Sequence, residues 1–112
     1  MFTYELARRL QGTGVTANCL HPGFVATNIG QSGRAPFVRT MVKFIFSRLG
    51  ISPEEGAKTS IYLASSPDVE GVTGKYFAKS IPIRSAPISY DESLQRQLWE
   101  QSAKLVNLPI NV

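Results

Sequence analysis

The sequence predicts an α/β fold in which two short strands run parallel and helices lie between and beside them. Helical segments with an apolar face alternate with short runs of small and β-branched residues, and glycine-containing turns separate the two kinds of segment. About fifty residues lie between the strands predicted at 15–20 and 75–78, enough for the right-handed crossover that joins parallel neighbours. With 112 residues, 43% of them hydrophobic and 18% charged, the chain is expected to form one domain around one core.

A helix is predicted at 1–12 and the first strand at 15–20. Phe2, Leu6 and Leu10 recur at every fourth position, so they share one helix face, and charged residues occupy the other. Glycines in the following turn allow the left-handed backbone that ends a helix. The strand that follows stops at a Pro-Gly pair.

The middle of the chain is predicted as a loop at 22–36 followed by a helix at 37–49. The loop is rich in Thr, Asn, Gly, Gln and Ser and is long enough to cover a site, whereas the helix is apolar over most of its circumference. A helix start follows, because Ser52 can cap, Pro53 suits the first turn, and Glu55 can reach back to complete a capping box.

The last part of the chain is predicted as a helix at 53–65, a strand at 75–78 and a C-terminal helix at 89–106. An extended connector at 80–89 precedes the final helix, which a second capping box from Ser89 to Glu92 would open. The apolar side of that helix carries Leu94, Leu98, Trp99 and Leu105.

Composition excludes several classes of function. The net charge of +4 arises from Lys and Arg residues that are spread along the chain, without the clustering with aromatic residues that is typical of nucleic-acid binding. The single cysteine, Cys19, has no disulfide partner, which favours a reducing, cytoplasmic location. We expect Cys19 to be a small buried side chain, the lone His21 to be structural, and no metal site to be present. The sequence has no signal-peptide pattern and no apolar run of about 18 residues.

Four segments in register resemble the C-terminal part of the short-chain dehydrogenases/reductases, and more narrowly their retinol-dehydrogenase-like branch. They are Glu5 to Leu10, His21 to Asn28, Pro53 to Pro67 and Val72 to Phe77. Each segment is weak evidence alone, but together they keep the family's order and span nearly the whole chain. The resemblance implies the last two strands, with their helices, of a Rossmann-like, doubly wound parallel sheet. The chain is therefore expected to be one partial domain.

The resemblance implies that the loop after the first strand packs against the nicotinamide ring of NAD or NADP. Pro22 and Gly23 would form the turn under the ring, the backbone of Val25 would bond the carboxamide, and the Thr27 hydroxyl would reach the carboxamide or a phosphate. The implied cofactor-binding set is Pro22, Gly23, Phe24, Val25 and Thr27. Glycine permits close approach of backbone to a flat ring, and ligands in open α/β sheets bind beyond the carboxyl ends of the strands. A plain turn is the alternative, with Thr27 capping the segment that follows.

Three roles remain open for the predicted helix at 37–49. In the family this stretch walls the substrate pocket, so the resemblance implies a lid over an apolar alcohol or carbonyl compound. The implied lid residues are Phe37, Met41, Phe44 and Ile45. Alternatively, the segment lies on a membrane surface through its basic side chains. Those side chains are Arg34, Arg39, Lys43 and Arg48. The third role is packing on the core or on a partner subunit.

The sequence lacks the glycine-rich phosphate turn and the tyrosine four residues before a lysine that the family uses. That pair matters because the positive charge of lysine lowers the pKa of tyrosine from about 10 towards the working pH of an acid/base catalyst. In the family, the segment resembling Phe2 to Leu10 follows the catalytic lysine, so we expect Met1 to begin downstream of the active centre. The chain is expected to contain no catalytic residue and to be inactive alone.

A non-catalytic interaction module is the competing hypothesis. Two strands bury little area, and the strand at 15–20 would lack one of its neighbours in a full sheet. Self-association through that exposed strand edge, or through the apolar helices, would follow.

Overall fold

The computed structural model describes residues 1–23, 25, 40 and 50–109. The described elements are helix α1 (Phe2–Arg9), strand β1 (Cys19–Leu20), helix α2 (Pro53–Ser65), strand β2 (Tyr76–Ala78), strand β3 (Ile81–Ile83) and helix α3 (Glu92–Leu105). Short 3-10 turns lie at Pro67–Val69 and Pro87–Tyr90. Apart from Thr40, the predicted helix at 37–49 lies outside the described residues, as does most of the predicted loop at 22–36.

The three strands form one mixed sheet in the order β1-β2-β3. β1 and β2 are parallel, with Cys19 opposite Tyr76, as the sequence predicts for its two strands. β2 and β3 are antiparallel, with Phe77 opposite Pro82. The predicted α/β class is confirmed, and the parallel pair is compatible with part of a Rossmann-like sheet.

The prediction of an extended connector at 80–89 is wrong at its start, because β3 turns back along β2. Lys79 and Ser80 form the two-residue turn, and both have a positive φ, 50° and 60°. A hairpin turn of this kind usually has Asn or Gly at these positions, so Lys-Ser carries no turn signal in the sequence. The Ser80 amide donates to Thr59 Oγ1 of α2 at 3.1 Å. A tertiary contact therefore supports the turn.

β1 is shorter than the predicted strand at 15–20, because side chains replace part of the ladder. Asn18 Nδ2 donates to Val72 O at 2.7 Å, and Asn18 Oδ1 accepts from Lys75 N at 3.0 Å. The amide of Ala17 donates to Thr73 Oγ1 at 3.0 Å. Residues 17 and 18 therefore stay joined to the segment before β2, although they do not form regular strand.

The observed helix bounds match the predicted ones best for α2, whose first turn is capped by the residue just before it. α2 has the predicted bounds, and Ser52 Oγ accepts from Glu55 N at 3.2 Å. α1 ends at Arg9 rather than at residue 12. α3 begins at Glu92 rather than at residue 89, because Asp91 is its N-cap and accepts from Leu94 N at 3.1 Å. The predicted capping box from Ser89 is therefore wrong.

Helices cover both faces of the sheet. Phe77 is 2% exposed and its ring lies 6.4 Å from that of Tyr62, which places α2 on the Phe77 face. α1 packs against α3 on the other face, where the ring of Phe2 stacks on that of Trp99 at 4.8 Å. None of the described helices has the length and apolar character needed to cross a membrane.

Candidate functional site

The segment after β1 makes a tight turn at the carboxyl end of the parallel pair. The His21 amide donates to Phe77 O at 3.1 Å, which continues the ladder by one residue. Pro22 and Gly23 follow on the surface, and Gly23 has a φ of 85°. Only glycine adopts this backbone without strain. The sequence-predicted turn at Pro22-Gly23 is thus present.

His21 closes this turn through its ring. The Gly23 amide donates to His21 Nδ1 at 3.1 Å, so Nδ1 is the acceptor nitrogen. The neutral imidazole then carries its proton on Nε2, which remains a donor. The ring also lies 5.6 Å from that of Tyr76 in β2. His21 therefore holds the turn and presents one N–H group beside it.

A cavity of about 470 Å³ opens beside the turn. Its lining is mostly apolar and consists of His21, Pro22, Gly23, Ile51, Ala78, Lys79, Ile81 and Ile83. The volume lies in the range of small-molecule sites, and the position is the one that open α/β sheets use for ligands. Lys79 supplies the one charged side chain among these described residues. The cavity is suited to a mainly apolar ligand.

Val25, two residues after the Pro-Gly turn, packs against the start of α2. Val25 forms a parallel bridge with Ile51. Gly56 is buried in α2, and a Cβ built there would lie 2.6 Å from Val25 Cγ2. A Cβ on Gly23 would lie 3.4 Å from Ile51 Cδ1. Glycine at 56 therefore lets Val25 approach the helix closely.

The structure brings together only part of the predicted site. Pro22 and Gly23 line the cavity, and Val25 lies in the bridge to Ile51. The remaining predicted residues lie outside the described part of the chain. They are Phe24 and Thr27 of the cofactor set and Phe37, Met41, Phe44 and Ile45 of the lid.

Sequence reasoning missed the wall that the hairpin contributes. Ile81 and Ile83 line the cavity, and Lys79 stands in the turn between β2 and β3. The β-branched residues Ile81 and Ile83 alternate with period two, which favours a strand. Pro82 between them disfavours one, because proline cannot donate a ladder hydrogen bond. β3 accommodates Pro82 because it is an edge strand, paired with β2 alone in the described sheet.

Cys19 and the acidic residues add no chemistry to this site. Cys19 is half-buried rather than buried, with its Sγ 3.7 Å from Lys75 O. Within the described ranges, no three His, Cys, Asp or Glu side chains gather closely enough to hold a metal ion.

Known proteins with similar sequences are retinol and polyprenol dehydrogenases. Retinol dehydrogenase 14 of Homo sapiens is 49% identical over 109 residues, which cover 96% of this chain and 32% of that protein. Retinol dehydrogenase 13 of Homo sapiens is 44% identical over 111 residues, and polyprenol dehydrogenase of Homo sapiens is 37% identical over 110. This chain is a homologue of retinol dehydrogenases of the short-chain dehydrogenase/reductase family.

This retinol-dehydrogenase-like chain spans about a third of the length of the curated relatives it matches. No protein-family model matches it. The resemblance seen in the four sequence segments is confirmed, and with it the oxidoreductase class of the relatives. One of those segments, His21 to Asn28, contains the Pro22-Gly23 turn, and this turn borders the cavity of about 470 Å³.

Proposed function

We propose that this chain supplies the nicotinamide-side loop and one wall of the substrate pocket of an NAD(P)-dependent oxidoreductase. The observation that carries the proposal is the Pro22-Gly23 turn, which borders an apolar cavity of about 470 Å³ at the carboxyl end of β1. The homology to retinol dehydrogenases supports the reaction class. The complete enzyme would transfer hydride between the cofactor and an apolar alcohol or carbonyl compound.

The residues at the turn suit a flat cofactor ring. Gly23 has no side chain and a positive φ, so its backbone is open to close approach. Pro22 fixes the bend, and the His21 bond to the Gly23 amide holds it. In this proposal Pro22, Gly23 and Phe24 pack against the nicotinamide, Val25 bonds its carboxamide through the backbone, and Thr27 donates from its hydroxyl. The nicotinamide itself supplies or accepts the hydride.

The hairpin gives the substrate side its chemical character. Ile51, Ile81 and Ile83 present aliphatic surface to the cavity. Aliphatic walls favour a substrate with a hydrocarbon body, because binding removes apolar surface of both substrate and cavity from contact with water. Relatives are named for retinol and for polyprenol, both isoprenoid alcohols. We propose an isoprenoid-like alcohol or aldehyde, covered by Phe37, Met41, Phe44 and Ile45.

We propose that the chain by itself does not catalyse hydride transfer. No tyrosine in the sequence stands four residues before a lysine, so the acid/base pair of the family is not supplied by these residues. The purified chain should therefore show no oxidation of NADH or NADPH when it is mixed with retinal or a polyprenal. Robust turnover under these conditions would overturn the claim of inactivity.

A chimaera tests the role of the turn directly. The 109 residues of human retinol dehydrogenase 14 that match this chain are replaced by the corresponding residues of this chain, and retinal reduction is measured. Activity should persist. Gly23→Val in the chimaera should weaken NAD(P)H binding by at least about tenfold, because a side chain enters the ring's side of the turn.

Gly12→Val is the matched control for this substitution. Gly12 has a φ of 80°, close to the 85° of Gly23, so the backbone strain is comparable. Nothing lies within 4 Å of a Cβ at Gly12, which belongs to the turn after α1. Equal loss of cofactor binding in both variants would mean that strain alone is measured, and the proposed contact would be refuted.

A further inference from the structure

A second cavity, of about 260 Å³, lies between α1, the sheet and the 3-10 turn at Pro87–Tyr90. Tyr4, Tyr76 and Tyr90 form its aromatic part, and Lys75 and Arg84 stand at its border. It shares only Ile83 with the cavity at the Pro-Gly turn. The proposed oxidoreductase role uses none of its other lining residues.

Among the described residues, the charged side chains that line this cavity are all cations. Lys75 and Arg84 are the charged side chains among the described residues that line it. The ion pairs in the described part of the chain join Glu5, Glu55 and Glu92 to other cations, so neither of these two has a carboxylate partner. Two unpaired cations at one opening create a positive potential that attracts an anion.

A rigid set of hydroxyl groups completes the cavity. Tyr4 is 9% exposed, its ring stacks on Tyr90 at 5.4 Å, and its hydroxyl lies 2.6 Å from Ser85 Oγ. Tyr90 OH accepts from Ser85 N at 3.1 Å, and a phenol that accepts a hydrogen bond still carries a proton of its own to donate. Hydrogen bonds to Ser85 and to Tyr4, with the charge of Arg84, lower the pKa of Tyr90 and so strengthen it as a donor.

We propose that this cavity binds a phosphate group, with Lys75 and Arg84 matching its two negative charges and the Tyr90 hydroxyl donating to one of its oxygens. Arginine and phosphate form charge-assisted, forked hydrogen bonds, and lysine adds a point charge. A volume of 260 Å³ admits a phosphate together with several waters, each of which needs about 30 Å³. The phosphate belongs either to a soluble small molecule or to a lipid headgroup.

The test titrates the 112-residue chain with inorganic phosphate and follows backbone amide signals by NMR at constant ionic strength. Signals of Gly74 and Lys75 should shift saturably, with a dissociation constant of about 1 mM or below. The double variant Lys75→Gln/Arg84→Gln should bind at least about tenfold more weakly. The control Arg96→Gln/Lys104→Gln removes the same charge from exposed positions of α3 and should bind as the parent does.

Tyr90→Phe keeps the stacked ring and removes only the hydroxyl, so it tests the cavity if the double variant does not fold. It should weaken phosphate binding by about threefold to tenfold.

Sedimentation with phosphatidylcholine vesicles, with and without phosphatidic acid, separates the two sources of phosphate. Binding to the phosphatidic acid vesicles without any response to inorganic phosphate would assign a lipid headgroup. Equal binding by parent, double variant and Tyr90→Phe, or no response to either probe, would overturn the proposal.

Discussion

A side chain at Gly56 would collide with Val25: a Cβ built on the glycine lies 2.6 Å from Val25 Cγ2. Gly56 lies in the first half of α2 and is buried, although glycine is a poor helix former. The contact therefore explains why glycine is suited to this helix position. It also fixes how closely Val25 lies to α2.

Gly56→Ala is expected to destabilise the chain by about 1–3 kcal/mol, because the added methyl group overpacks the contact with Val25. In a free helix the same substitution would stabilise by roughly 0.5–1 kcal/mol, so the predicted sign is the reverse of helix propensity. Urea denaturation followed by circular dichroism measures the difference in free energy of unfolding. Ser60→Ala, at an exposed position of α2, is the control and should be neutral or slightly stabilising. A stabilising Gly56→Ala would contradict the contact.

Glu5 makes stability depend on pH in the acid range. It is 4% exposed and bonds Arg8 at 2.5 Å and Arg9 at 2.8 Å. Burial alone would raise the pKa of Glu5, but the hydrogen bonds and charges of the two arginines outweigh it and lower the pKa below its ordinary value. Such a carboxylate stabilises the fold above the unfolded-state pKa of about 4.3, and that stabilisation is lost as the pH falls through the folded-state pKa.

Glu5→Gln should reduce the free energy of unfolding at pH 7 by about 1–3 kcal/mol, because it removes two charge-assisted bonds. Below the folded-state pKa the variant and the parent should converge. The measurement is urea denaturation at a series of pH values between 7 and 2. Glu92→Gln is the control, since its carboxylate is 60% exposed and pairs at 3.5 and 3.9 Å. An equal pH slope in Glu5→Gln and the parent would refute the assignment to Glu5.

The hairpin beside the cavity carries backbone strain that can be relieved. Lys79 and Ser80 both have left-handed backbone, which costs a non-glycine residue about 1 kcal/mol or more. Replacing the pair with Asn-Gly, the preferred residues of this turn, should stabilise the chain by about 1–2 kcal/mol. Thermal unfolding measures the gain. Ser60→Gly, in the regular backbone of α2, should instead cost roughly 0.5–1 kcal/mol. The backbone amide of residue 80 can still donate to Thr59 Oγ1 in the variant, so no gain from Asn-Gly would contradict the predicted strain at Lys79 and Ser80.

His21 should protect the amide of Gly23, which donates to its Nδ1. His21→Phe removes the acceptor, so hydrogen exchange at the Gly23 amide should accelerate by about twofold to tenfold. His21→Asn keeps an acceptor oxygen near the same place and should retain more of the protection. Hydrogen exchange measured by NMR compares the three proteins. Unchanged exchange in His21→Phe would show that the ring does not hold the turn.

Local signals in the sequence predicted much of the fold. The bounds of α2 follow from Ser52 and Pro53, which act within one helical turn, and the observed cap uses Ser52 as expected. The Pro22-Gly23 turn was also predicted from adjacent residues, and the parallel pairing was predicted from the length of chain between the two strands. Bounds were missed for two different reasons. At the start of α3 two local caps compete, and Asp91 rather than Ser89 caps the helix. β1 is shortened by bonds from Asn18 and Ala17 to residues 72–75, which are distant in sequence.

The sequence by itself determined the α/β class, the turn after the first strand and the likeness to retinol dehydrogenases, because each rests on residues that act locally or in a fixed order. Only the tertiary structure decided that Ile81 and Ile83 line the cavity with Pro22, since a hairpin brings them there from about sixty residues away. The tertiary structure likewise brings Val25 against Gly56. Such contacts depend on the shape of two surfaces that meet after folding, and no pattern within either segment specifies that shape.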